Sequence, residues 1–289
     1  MMKLQLLLLA MLLSVTALAQ KKPVDYFEEA NRYYDARQYD KALKGYQYFV
    51  KHFPKDQGYP RALYNAAHCQ FLLKQYGKCI KTCRKLMAVE ADEKDPLDWG
   101  IMADPYANYR HRGADMAYEC YAIQQKWDSA LRYLALSDTL YPYIHFCGNA
   151  YAGNEVSNAL RYAEIYEHIG QPDKALEKLL QTVFLDGLTD VSKVLAEVRK
   201  LLSGREGLLQ ELDTAMNAMY EKKFEFVDNE GKTHTNTHHY ISFLNVEIEV
   251  PEDYWFFYFV PNKVESGFVK EECITYIKQT SFYKMIAEL

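Results

Sequence analysis

The chain has 289 residues, 49% hydrophobic and 25% charged, with a formal net charge of −5, enough material for one or two domains with a sizeable core. A mildly acidic balance with no basic stripe interleaved with aromatics argues against nucleic acid as a partner. Tyrosine is the compositional anomaly, 25 against 14 Phe and 3 Trp; such rings either pack helix pairs with a hydroxyl at the surface or line an aromatic groove for a partner.

Residues 1–19 carry Lys3, the apolar run LLLLAMLLSV and Ala17-Leu18-Ala19 before Gln20, the layout of a secretory signal with a small-residue cleavage site. The run is shorter than the ~20 apolar residues a bilayer-spanning helix needs, so cleavage and export are expected rather than a membrane anchor. No cysteine stands at the cleavage point, which gives no support to a lipoprotein anchor. The mature chain is expected to be soluble and without a membrane span, periplasmic in a bacterial source and secreted otherwise.

Residues 26–54 read as two short antiparallel helices. Ala30, Tyr33 and Tyr34 fall at three-and-four spacing on the first, and Tyr39, Ala42, Leu43, Tyr46 and Phe49 on the second, the period of a helix face. Ala30 and Ala42 allow close contact, Tyr33 and Tyr46 fill the space beside them, and Pro54 stops the second helix. With its Tyr-x-x-Ala start (YDKAL) and closing proline (HFP), this stretch closely resembles a tetratricopeptide (TPR) repeat. It departs from that pattern at Tyr26, where tryptophan is usual, and at Phe49, where a small residue is commoner.

Three more units follow. Residues 60–86 place Leu63, Ala66, Ala67 and Phe71 on one helix and Tyr76, Cys79, Ile80, Cys83 and Leu86 on the other, with Cys79 in the small position. Residues 111–142 offer Ala114, Ala117, Tyr118 and Tyr121, then Trp127, Ala130, Leu131 and Leu134. Residues 156–185 carry Tyr162, Ala163 and Tyr166, the Gly170-Gln171-Pro172 turn, then Ala175, Leu176 and Leu179. The steps from Ala42 to Cys79, Ala130 and Ala175 exceed the ~34 residues of a plain repeat. Insertions at 91–110 and 141–155 account for most of the excess; their Trp99, Tyr106, Tyr109, Tyr143 and Phe146 suit either packed loops or lengthened helices.

After residue 187, Leu195, Val198, Leu201 and Leu202, then Leu208, Leu209, Leu212, Met216 and Met219, follow helical spacing in two helices, about 190–202 and 205–222, that would cap the array. FEFV, ISFLNVEIEV and YWFFYFV then read as strands, and residues 269–289 as a covering helix with Cys273, Ile274, Ile277, Phe282, Met285 and Ile286 on its apolar side. The expected fold is mostly α: a TPR-like α-α solenoid followed by a small antiparallel β-meander plus C-terminal helix. The expected divisions are 1–19 signal peptide, 20–186 TPR-like repeats, 187–222 capping helices and 223–289 β-meander plus helix.

Catalytic signals are thin. His234, His238 and His239 could ligate zinc or copper, but they lie in a polar stretch between two strands, which favours a solvated loop. Glu247 and Glu249 share a strand face and could act as an acid and base pair, though such a face usually meets solvent. No GxSxG, HExxH, Walker loop or GxGxxG is present, so neither an enzyme nor a cofactor is expected. Of the six cysteines, Cys69, Cys79, Cys83, Cys120 and Cys273 fall on helical positions suited to small apolar residues, which favours buried thiols; a Cys69–Cys83 bridge is the alternative, and Cys147 is the best free or bridging thiol.

The TPR resemblance implies that the first helices of successive pairs line a concave groove for a protein or peptide. By that resemblance the groove residues are Phe27, Asn31, Tyr34, Tyr64, His68, Phe71, Asp115, Glu119, Glu164 and Glu167, aromatic at one end and acidic at the other. Of the polar set with which some TPR domains clamp a terminal carboxylate, only Asn31 fits. The reading is an exported scaffold. Two alternatives are a TPR support for a catalytic or metal-dependent C-terminal module, and a part of a cell-envelope assembly whose aromatic YWFFYFV run augments a partner's sheet.

Overall fold

The computed structural model describes residues 22–94, 105–186, 188–228, 230–250 and 268–289. The residues read as a signal segment, part of the first insertion and the YWFFYFV run lie outside them. Six helices form three antiparallel pairs before Pro142: α1 (Pro23–Asp35) with α2 (Tyr39–His52), α3 (Tyr59–Leu72) with α4 (Tyr76–Met87), and α5 (Tyr109–Ile123) with α6 (Trp127–Ala135). A fourth pair, α7 (Gly148–His168) with α8 (Pro172–Leu180), opens the second compact unit, Tyr143–Leu289.

The same backbone turn closes all four pairs. Arg37, Lys74, Gln125 and Gly170 each have positive φ, at 57°, 57°, 55° and 72°. The next residue's N–H reaches back to the carbonyl five residues earlier in every case: Gln38 to Tyr33, Gln75 to Gln70, Lys126 to Tyr121 and Gln171 to Tyr166, at 2.8–2.9 Å. This double-bonded end satisfies carbonyls the helix cannot pair itself and reverses the chain in a fixed geometry. Twelve residues along from Ala30, Ala67, Tyr118 and Ala163 stand Ala42, Cys79, Ala130 and Ala175, all 0% exposed. Close approach is most severe at Gly45, where an added Cβ would lie 2.7 Å from the Ala30 Cβ. Tyr46 and Phe49 then fill the flanks, at 1% and 2% exposure.

The third pair ends differently. Residues Leu136–Leu140 widen into a π turn, and the buried His111 ring reaches two carbonyls at its end, with Nδ1 3.0 Å from both Ser137 O and Tyr141 O. The second insertion lengthens a helix, because α7 begins at Gly148 and runs 21 residues. At the described ends of the first, Glu93 holds Arg110 through a 2.7 Å ion pair and accepts from its backbone N–H.

In the second unit, α7 and α8 share one core with α9 (Ser192–Leu202), α10 (Leu208–Asn217), two strands and two terminal helices. The fourth pair is thus packed with the C-terminal elements, a grouping that helix periodicity alone does not reveal. The three strands β1 (Tyr220–Val227), β2 (Thr233–Phe243) and β3 (Val246–Glu249) form an antiparallel sheet in that order. Chain boundaries here differ from the sequence reading in three places. Lys222, read as the end of a helix, lies in β1 opposite His238. The ISFLNVEIEV run is two strands, divided at Leu244 and Asn245, both at positive φ, which matches the two-residue turn that suits strand twist. The terminal helix is two, α11 (Lys270–Ile277) and α12 (Ser281–Ala287), because the Thr280 hydroxyl accepts from Tyr283 N and starts a new helix. Ile241, Phe243, Ile248 and Phe282 close the core at 0% exposure.

Two glycine substitutions test this packing by thermal denaturation. Gly45→Ala should lower stability even though alanine is the better helix former by about 1 kcal/mol, because the clash is with helix backbone and Cβ. At Gly170 an added methyl meets nothing within 4 Å, so Gly170→Ala should cost about 1 kcal/mol from the left-handed backbone alone. A Gly45→Ala chain as stable as the parent would show that the α1–α2 contact yields.

Candidate functional site

The side chains proposed for a groove separate into four groups. Asn31 and Tyr34 from α1 meet Tyr64 and His68 from α3. The Tyr34 hydroxyl lies 2.7 Å from His68 Nδ1, and the Tyr46 hydroxyl donates to Asn31 Oδ1 at 2.6 Å. The rings of Tyr34 and Tyr64 flank the His68 ring at 5.7 and 6.1 Å. From α5, Arg112 places its guanidinium 5.7 Å from the Tyr64 ring centre, a cation over an aromatic face. Three first helices therefore contribute to one row: Asn31, Tyr34, His68, Tyr64 and Arg112.

Phe27 and Phe71 turn into their own helix pairs. Phe27 meets Tyr46 and Phe49 edge-on at 5.7 and 5.4 Å, and Phe71 meets Tyr76 at 5.8 Å. Asp115 and Glu119 are half-buried on α5, one and two turns beyond Arg112. Glu164 and Glu167 stand on α7 in the second unit; Glu164 is exposed, and Glu167 accepts from Lys200 Nζ at 2.7 Å. Arg112 and Tyr46 were missed in the sequence. Arg112 stands one helical turn before Asp115, a spacing that marks the same face, and it sets a positive charge beside the row where only acids were expected.

Burial sets the protonation of the row. The Tyr34 hydroxyl is pushed up to about 12, first by burial and then by its neighbours Cys69 and Tyr64, so it stays protonated. His68 is held below its ordinary value by burial and by the Arg112 charge, so it is neutral near pH 7. The neutral ring carries one N–H, and which way the Tyr34–His68 hydrogen bond runs follows from the nitrogen that holds it. The row thus presents ring faces, a neutral imidazole and a guanidinium.

A second cluster joins α4 to α5. Cys79 Sγ lies 3.8 Å from Cys83 Sγ, and Cys120 on the next helix is electrostatically coupled to Cys79. All three are 0% exposed. The Cys120 coupling favours the Cys79 thiolate, but the hydrogen bond to Cys83 and burial outweigh it and push that thiol up; Cys120 is raised by its coupling to Cys79 and by burial. The six cysteines are free thiols, so Cys69 and Cys83 are not bridged.

The histidines of the C-terminal region lie within β2, not in a loop, because Thr233, Thr235 and Thr237 are β-branched and pair with β1. They do not converge. His234 Nε2 is 2.6 Å from Asp228, and His238 Nδ1 is 2.6 Å from Glu249, while His239 stacks on Phe268 at 3.4 Å. Among the described residues no group of three or more His, Cys, Asp or Glu side chains is arranged to hold a metal ion. Glu247 accepts from Tyr220 and Lys222, the latter at 2.6 Å, which uses it as a cross-strand tie.

The repeated left-handed turn, the Ala30–Gly45 contact and the buried row of Ala42, Cys79, Ala130 and Ala175 are properties of one recurring unit. The helix pairs are tetratricopeptide-like. No protein-family model and no curated relative matches the chain. Solved structures to which it is similar include MamA RS-1, in a form described as an ArsTM double mutant, at 14% identity over 63% of this chain and 84% of that one, with a TM-score of 0.45. A thermophilic TPR protein of Thermus thermophilus has 19% identity over 68% and 91%, TM-score 0.38. The TPR2AB domain of yeast Sti1, solved with pHSP90, has 14% identity over 63% and 70%, TM-score 0.33.

Two measurements follow from these environments. The depressed His68 binds no proton in the folded state until below its ordinary value near 6.5, whereas the unfolded chain takes one up there. Stability should therefore fall as pH drops from about 6.5 toward the depressed value, and His68→Gln should flatten that slope in urea titrations at a series of pH values. In a thiol-reagent assay Cys147, the partly exposed cysteine, should react first, with Cys79, Cys83 and Cys120 reacting only on unfolding.

Proposed function

We propose that this chain is an exported, non-enzymatic scaffold that captures an extended segment of a protein partner along the row formed by Asn31, Tyr34, His68, Tyr64 and Arg112. The reading is carried by one observation: a half-buried Tyr34–His68 hydrogen bond, with Tyr64 stacked beside it and Arg112 over that ring, joins the first helices of three successive pairs. Such a row is rigid before any partner arrives, which lowers the ordering cost of binding. An apolar or aromatic side chain of the segment packs against Tyr34 and Tyr64, its backbone hydrogen-bonds the His68 ring, and Arg112 with Asp115 and Glu119 behind it sets direction by charge.

Export rests on the charged start, apolar run and Ala17-Leu18-Ala19 site of residues 1–19, and places the mature protein in the periplasm of a bacterial source or outside the cell otherwise. Among the described residues no helix is long and apolar enough to cross a membrane. Affinity capture from the native envelope followed by mass spectrometry identifies the partner, and N-terminal sequencing of the mature chain checks cleavage before Gln20. In such a capture, Tyr34→Ala combined with Tyr64→Ala should weaken retention by about tenfold or more while helical circular dichroism is kept. Undiminished capture by that folded variant would move the site off this row.

A further inference from the structure

Helix α3 has a second face. Tyr59, Leu63, Ala66 and Gln70 recur at helical spacing on the side away from Tyr64, His68 and Phe71, and they form the floor of a slot of about 420 Å³ between α2 and α4. Val50 adds an apolar wall, and the exposed Lys51 and Lys85 come to it from the two flanking helices. Gln70, 4% exposed, spends its side-chain oxygen on the Thr82 hydroxyl at 2.8 Å, so the floor presents mainly hydrocarbon.

Charge around this slot is lopsided. Residues 39–89 hold ten lysines and arginines against Asp40 and Asp56, a formal +8 within a chain of −5. Helix α4 has Lys78, Lys81, Arg84 and Lys85 and no acid at all. Lys51 and Lys85 carry no ion pair among the described residues. Cations this close repel one another and destabilise the fold slightly, so their concentration beside an apolar slot favours an anionic occupant.

We propose that the α2–α3–α4 slot is a second docking site, which takes one apolar side chain of an acidic partner segment while Lys51 and Lys85 meet carboxylates on either side of it. The shape selects a protein segment over other anions. A slot receives a protruding side chain, whereas a lipid surface is entered by apolar groups that protrude from the protein. A run of base-stacking platforms is not on offer beside it, since the exposed Tyr48 ring is stacked on His52 at 3.9 Å and Tyr59 is a single ring in the slot's floor. The slot opens on the face of α3 away from the Tyr34–His68 row, so a partner could lie across both faces of α3 or two partners could bind together.

The test uses the full chain and a labelled acidic peptide with a single central leucine, followed by fluorescence anisotropy. Binding is expected to weaken with added salt. It should fall about tenfold when the leucine is replaced by alanine, and about tenfold or more for Lys51→Glu with Lys85→Glu. The control Lys74→Glu with Lys126→Glu makes the same change in net charge at two hairpin turns, and should leave affinity within about twofold. Equal loss in both double variants, indifference to the leucine, or equally tight binding of phosphatidylglycerol vesicles or a single-stranded oligonucleotide would overturn the proposal. His68→Gln, which alters the row without removing a ring packed on the slot's lining, should leave this peptide's affinity unchanged, which separates failure here from failure of the row.

Discussion

The fold depends on how closely two helices approach within one pair. At Ala30 and Gly45 the backbones come so near that a single methyl does not fit, and this spacing lets Tyr46 and Phe49 close over the crossing without leaving a void. Because each turn repeats the same left-handed residue and the same reach-back hydrogen bond, the second helix of every pair returns at a set angle. The small residues then fall opposite one another without help from distant contacts.

From that regularity follows a division of labour along α3. One face carries Tyr64 and His68, bound to Tyr34 and overlaid by Arg112; the opposite face carries Leu63, Ala66 and Gln70 beneath two lysines. A helix inside a globular core offers no such pair of faces, since its neighbours enclose it. In paired short helices the flanks of each helix remain partly open, and one element can serve two kinds of chemistry: aromatic and neutral on one side, apolar with cations on the other.

The second unit is organised by a different constraint. Its helix pair cannot bury Leu179, Leu180 and Val183 alone, and Phe243, Ile248 and Phe282 from the sheet and terminal helix complete the same core. The outward side of the sheet ties itself with cross-strand pairs, Lys222 to Glu247 and His238 to Glu249. Those pairs make Glu247, Glu249 and His238 cross-strand links, while His234 is held by Asp228 and His239 stacks on Phe268.

Local periodicity was enough to read the helix pairs, the turns between them, the small positions Ala30, Ala42, Ala130 and Ala175, and five of the six cysteines as interior groups, because a helix face is written in residues three and four apart. Asn31, Tyr34, Tyr64 and His68 were put forward by the repeat resemblance, and the packing brings Tyr34, Tyr64 and His68 into contact. Periodicity could not find Arg112 over Tyr64, the Cys79–Cys120 coupling, the slot under Lys51 and Lys85 or the strand that takes in the polar His234–His239 stretch. Each of these joins residues from elements far apart along the chain, and only the packing of one helix or strand on the next decides which side chains meet and which charges they feel.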